Sequence, residues 1–100
     1  MKALPWTFLT FHGHVLLYLT RHRRATCREI AQEVGVTERA IQKVIHELVE
    51  EEYIVREKEG RGNAYTINSE RPMRHRMERE FAVGELLRAL GGNLKDETDN

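Results

Sequence analysis

The chain has 100 residues, 40% hydrophobic and 32% charged, which bounds it to one small soluble domain without room for a separate catalytic one. Its 16 Lys and Arg balance its 16 Asp and Glu, so any nucleic-acid binding has to come from a basic face rather than a basic total. A lone Cys27 excludes an internal disulfide and a Cys-based zinc site and suits a reducing cytoplasm, and neither a signal peptide nor an apolar run of ~20 residues is present.

The spacing predicts a first helix over residues 10–21. Phe8, Phe11, Val15, Tyr18 and Leu19 fall on one face, and Leu9, Leu16 and Leu17 widen the stripe. That is more apolar surface than one buried side needs, so this helix is expected either to be central to a small core or to meet a second subunit as well. Trp6, after Pro5, suits an arm packed on a neighbour. A basic loop, Arg21 to Arg24, breaks the helix.

Residues 26–48 read as two short helices joined by a tight turn. Thr26 and Glu29 make a capping box, in which Thr26 accepts from the Glu29 N–H and the Glu29 side chain reaches back to the Thr26 N–H. Gly35 can end that helix in the left-handed conformation, and Thr37 caps the next. Ile30, Ala31, Val34, Val36, Ile41, Val44, Ile45 and Leu48 recur at three- and four-residue steps over one core. This is a helix-turn-helix layout. On the third helix, residues 37–50, the side chains of Arg39, Gln42, Lys43 and His46 share one outer face. That face carries donors and amides, the groups that meet base edges and phosphates. Charge is divided around it: residues 21–46 hold six Arg or Lys against three Glu, and residues 47–59 hold six Glu against Arg56 and Lys58.

Residues 53–58 and 64–67 are β-rich runs on either side of Glu59-Gly60-Arg61-Gly62-Asn63, a hairpin that must pack on the helices to be stable. Arg61 stands at its tip between two glycines, within reach of a phosphate or a minor groove. After Pro72 the pattern predicts a last helix over residues 73–90, bearing Met77, Phe81, Leu86, Leu87 and Leu90 and closed by Gly91-Gly92. Residues 93–100 form an acidic tail expected to be flexible.

Five histidines raise the question of a metal. His12 and His14 point to different faces of a helix, and no two histidines stand four residues apart, so no metal or other cofactor is expected. Cys27 at a helix N-terminus beside Arg28 could have a lowered pKa, although a small buried residue is the commoner outcome. No nucleophile is paired with a base and an orienting group, so the protein reads as a non-enzyme.

The order helix, helix, turn, helix, hairpin, helix resembles the winged-helix domain of small MarR-like bacterial transcriptional regulators. The resemblance runs through WTFLTFHGHVLLYL, REIAQEVGVTERAIQKVIHELVEEEYI and REKEGRGNAYTI. It implies a dimeric DNA binder with Thr37, Glu38, Arg39, Gln42 and Lys43 on the recognition helix and Arg61 on the wing. The larger family usually has further helices for dimerisation and effector binding. This chain is shorter, so no small-molecule effector is assigned. The six Glu close behind the recognition face are a departure from the basic pattern.

The expected architecture is therefore mainly α with a small β-hairpin: a three-helix core, a wing and a C-terminal helix. Residues 1–71 would form the winged helix-turn-helix DNA-binding domain, 72–92 the dimerisation helix and 93–100 the tail. The expected function is sequence-specific binding of double-stranded DNA by a cytoplasmic homodimer that regulates transcription. Arg39, Gln42 and Lys43 would lie closest to base edges and His46 nearer the backbone. Thr26, Arg28 and Thr37 would meet phosphates, and Arg61 with Asn63 would grip the flanking groove. Trp6, Phe8, Phe11, Val15, Met77, Phe81, Leu86, Leu87 and Leu90 would form the dimer interface. The alternative is a winged helix used for protein contact, its acidic run docking a basic partner.

Overall fold

Hydroxyl caps set the start of each of the first three helices. Thr10 opens α1 (Phe11–Arg21) by accepting from Gly13 N–H at 3.4 Å. Thr26 opens α2 (Cys27–Val34) through the capping box: Glu29 N–H donates to Thr26 Oγ1 at 3.1 Å, and Thr26 N–H donates to Glu29 Oε1 at 2.8 Å. Gly35 closes α2 with φ of 88°, a left-handed conformation that costs glycine little. Thr37 opens α3 (Glu38–Glu50) by accepting from Ala40 N–H at 3.0 Å. The computed structural model describes residues 4–94 of the chain, so the acidic end, residues 95–100, lies outside the described residues.

The strands β1 (Ile54–Glu59) and β2 (Gly62–Ile67) pair antiparallel from Ile54 opposite Ile67 to Glu59 opposite Gly62. The turn is thus Gly60-Arg61 alone, tighter than the five-residue loop expected, and Asn63 belongs to β2 opposite Lys58. Positive φ at the first central position, 59° at Gly60, suits a two-residue hairpin. The core lies where the three helices meet the root of this wing. Val15, Leu16 and Leu19 of α1, Ile30 and Ala31 of α2, and Ile41, Val44, Ile45 and Leu48 of α3 enclose Tyr53, Ile54 and Tyr65.

The C-terminal segment departs from expectation. Only α4 (Val83–Ala89) is helical, whereas residues 74–81 form turns between Pro72 and Ala82, which bridge as an antiparallel pair. Arg and Glu dominate those turns, and Met77 is 84% exposed, so a helix there would have no apolar stripe to bury. The backbone bonds close the loop instead: Met73 N–H donates to Phe81 O, and Phe81 N–H to Glu78 O. Tyr53 anchors the loop's entry, its hydroxyl donating to Pro72 O while the Arg71 guanidinium lies 5.5 Å from its ring centre. The exit is anchored where Gly84 N–H donates to Ser69 O at 2.8 Å, an approach so close that a Cβ at Gly84 would meet Ser69 at 2.7 Å. Val83 and Leu87 then enter the common core. Gly91 N–H to Arg88 O and Gly92 N–H to Leu87 O close α4, with φ of 84° at Gly91.

Candidate nucleic-acid interface

The capped starts of α2 and α3 are the rigid part of the candidate surface. Each leaves helix N–H groups at an exposed threonine cap, Thr26 on one and Thr37 on the other. Arg28 follows in the first turn of α2, and Glu38 with Arg39 in the first turn of α3. Gln42, Lys43 and His46 continue along α3, opposite the buried Ile41, Val44, Ile45 and Leu48. All of these outward side chains are exposed, as are Arg61 at the hairpin tip and Asn63 on β2.

The basic face has a defined limit. At the far end of α3 the His12 Nε2 lies 2.7 Å from Glu47 Oε1, tying the first carboxylate of the acidic run to α1. The hydrogen bond from His12 is the main cause that holds the Glu47 carboxyl below its ordinary range, with the charges of His12, Lys43 and His46 adding to it. Beyond Glu47 follow Glu50, Glu51 and Glu52, so the cation-bearing part of α3 is its first three turns.

Of the two outcomes open to Cys27, the structure shows the partly buried one. Burial raises its pKa, the neighbouring Glu38 raises it further, and only Arg56 opposes them. The helix N-terminus and Arg28 do not make it a low-pKa thiol, because its side chain packs partly against the core. The same triad reveals a cation that sequence reasoning passed over. Arg56 of β1 is close enough to lower the pKa of a group at the start of α2. Arg56 and Lys58 are exposed and two residues apart, on one face of β1, across from Tyr65 and Asn63. Strand alternation was the signal for them. The six Glu of residues 47–59 outnumber them and hide their common face in the net charge.

Sequence comparison identifies this arrangement. Residues 7–62, from the N-terminal arm through the hairpin turn, match the family model described as MarR family.

The chain belongs to the MarR family.

The winged helix-turn-helix fold described above is the one seen in its structural neighbours. No curated protein matches it. Among solved structures, it is similar to MepR, a transcription regulator of the Staphylococcus aureus multidrug efflux pump MepA. Identity there is 18% and the TM-score 0.52, over 89% of this chain and 67% of that one. A mutant form of ZitR from Lactococcus lactis matches at 19% identity with a TM-score of 0.47, over 97% of this chain and 70% of that one. At such identities the likeness to MepR speaks for the fold alone.

Of the apolar residues expected at a dimer interface, the structure leaves some outside and takes others in. Trp6, Phe8, Phe11, Met77, Phe81 and Leu90 are exposed, Phe8 by 93%, and the Trp6 and Phe8 rings meet edge to face at 5.1 Å. Leu86 is half-buried. Val15 and Leu87, both at 0% exposure, are spent in the protein's own core, so neither side chain is available to a partner. The continuous 73–90 dimerisation helix is likewise replaced by an exposed loop and the short α4. Among the described residues no helix is long and apolar enough to cross a membrane.

Proposed function

We propose that this MarR-family regulator binds double-stranded DNA sequence-specifically, as a homodimer acting in the cytoplasm. The observation that carries the reading is the exposed outer face of α3, where Arg39, Gln42, Lys43 and His46 follow a hydroxyl-capped N-terminus, between Glu38 in the first turn and Glu47 at the far end. In this reading the first turns of α3 enter the major groove, where Arg39, Gln42 and Lys43 meet base edges. His46 lies nearer the backbone, and Thr26, Arg28 and Thr37 bind phosphates beside helix N–H groups. Arg61 and Asn63 of the wing reach the flanking groove, with Arg56 and Lys58 as further phosphate contacts. The acidic run from Glu47 to Glu52, at and just past the end of α3, stays clear of the duplex, repelled by phosphate. Dimerisation would cover the exposed Trp6, Phe8, Phe11, Met77, Phe81 and Leu90, an apolar set large for a monomer of this size.

Selection of bound sequences from random duplex DNA tests the whole reading. The expected product is a pair of half-sites related by two-fold symmetry, with binding that weakens steeply as salt rises. No enrichment, together with binding indifferent to salt, would favour the protein-contact alternative. A monomer mass in solution would remove the dimer.

A further inference from the structure

Both strands of the wing are tied to one dipeptide, Arg23-Arg24, in the loop between α1 and α2, β1 at its end beside the turn and β2 at mid-strand. Arg24 Nη2 lies 2.7 Å from Oε1 of Glu59, and Arg23 Nη1 lies 3.4 Å from Oε2, so one carboxylate at the end of β1 takes two guanidinium groups. On the other strand, Tyr65 N–H donates to the carbonyl oxygen of Arg23 at 2.9 Å. Glu59 faces Gly62 across the two-residue turn, which puts Arg61 two residues beyond the clamp. We propose that Glu59 is a positioning residue that aims Arg61 at the flanking groove, with Arg23 and Arg24 as its counter-charges. This rests on the DNA-binding reading given above.

Two physical arguments lead there. A two-stranded hairpin has no fold of its own to hold its direction, and here its tip is a turn between two glycines. Its direction must come from tethers to the helical body, and the clamp supplies one on each strand. The second argument is electrostatic. A bare carboxylate so close to Arg61 would offset that residue's attraction to phosphate and would itself be repelled by the duplex. Two arginines neutralise it and keep it turned toward the protein. Their contribution to folding is small, because the Arg24 side chain is 73% exposed and the Glu59 side chain 32% exposed, where water screens the pairs. The clamp's effect is on orientation more than on stability.

The test is a double-mutant cycle between Glu59→Gln and Arg61→Ala on the full chain. Affinity is measured for the selected duplex and for a duplex changed only in the flank that Arg61 protects. In the parent, Arg61→Ala is expected to weaken binding to the selected duplex about tenfold, and in the Glu59→Gln background about twofold. Arg24→Gln breaks the clamp from its other side and should shrink the Arg61→Ala loss in the same way. Melting temperatures of all variants should stay within about 4 °C of the parent. Independent losses, with Arg61→Ala costing as much in both clamp-broken backgrounds as in the parent, would overturn the proposal. So would Glu59→Gln tightening binding to every duplex equally with the Arg61→Ala cost unchanged, since Glu59 would then act by repulsion alone. A parent that binds no duplex would overturn the DNA reading and the clamp's role with it, and that outcome differs from independent losses in a parent that does bind.

Discussion

Residues 26–50 and residues 73–90 both carry a helical pattern, and they end in different structures. In the first region every local signal points the same way: a reciprocal cap at Thr26 and Glu29, a left-handed stop at Gly35, a second cap at Thr37 and an unbroken apolar stripe. In the second the apolar residues cluster at the far end, and Arg or Glu fills most of the rest. The chain therefore loops from Pro72 to Ala82, and only Val83–Ala89 becomes helix, because Val83 and Leu87, four residues apart, are the side chains of this region buried in the core. A charged segment of that length cannot support a helix without tertiary contacts. Caps and a stripe together determine a helix, whereas a stripe with gaps leaves the outcome to packing.

The comparison can be broken most sharply at Leu87. If α4 belongs to the core as firmly as α3 does, Leu87→Ala should cost about 2–5 kcal/mol in urea unfolding. Met77→Ser, in the exposed loop, should change stability by less than about 0.5 kcal/mol. Comparable losses for the two would mean that the 73–82 loop is as structural as the helix after it.

On the other region, Arg39→Ala should weaken binding to the selected duplex by about 1–3 kcal/mol and leave the urea midpoint unchanged. Equal affinity of variant and parent would remove Arg39 from the interface. Thr26→Ala deletes one half of the capping box and should lower stability by about 1 kcal/mol, read by the same unfolding experiment. A larger loss than at Leu87 would reverse the ranking of cap against core.

The smallest effect is a pH dependence at the junction of α1 and α3. The Glu47 carboxyl titrates below its ordinary range because His12 hydrogen-bonds to it. Its contribution to stability is thus fully present above the ordinary glutamate range and is lost as pH falls through the lower, folded-state value. Carboxyl NMR titration should show Glu47 returning toward the ordinary range in His12→Ala, and an unmoved titration would show that some other group holds it down.

Much of the candidate surface was legible because it sits on well-capped helices. Arg39, Gln42, Lys43 and His46 follow from periodicity once Thr37 marks the start of α3, and Arg61 follows from its two glycines. Arg56 and Lys58 were less visible: strand alternation puts them on one face, but they stand in a stretch whose charge is acidic in sum. Val15 and Leu87 were misjudged for a related reason. Periodicity says that a residue is apolar-facing, but not whether its own core or another subunit covers it.

What the sequence determined by itself is local: where α1, α2 and α3 begin and end, which way their apolar faces turn, and that a hairpin follows. These depend on hydrogen bonds and side-chain spacing within a few residues, which the order of amino acids dictates directly. Tertiary structure alone decided the clamp of Glu59 by Arg23 and Arg24, the influence of Arg56 on Cys27, and the collapse of the last helix to seven residues. Each of these joins groups distant in the chain, and their distances depend on how the elements pack.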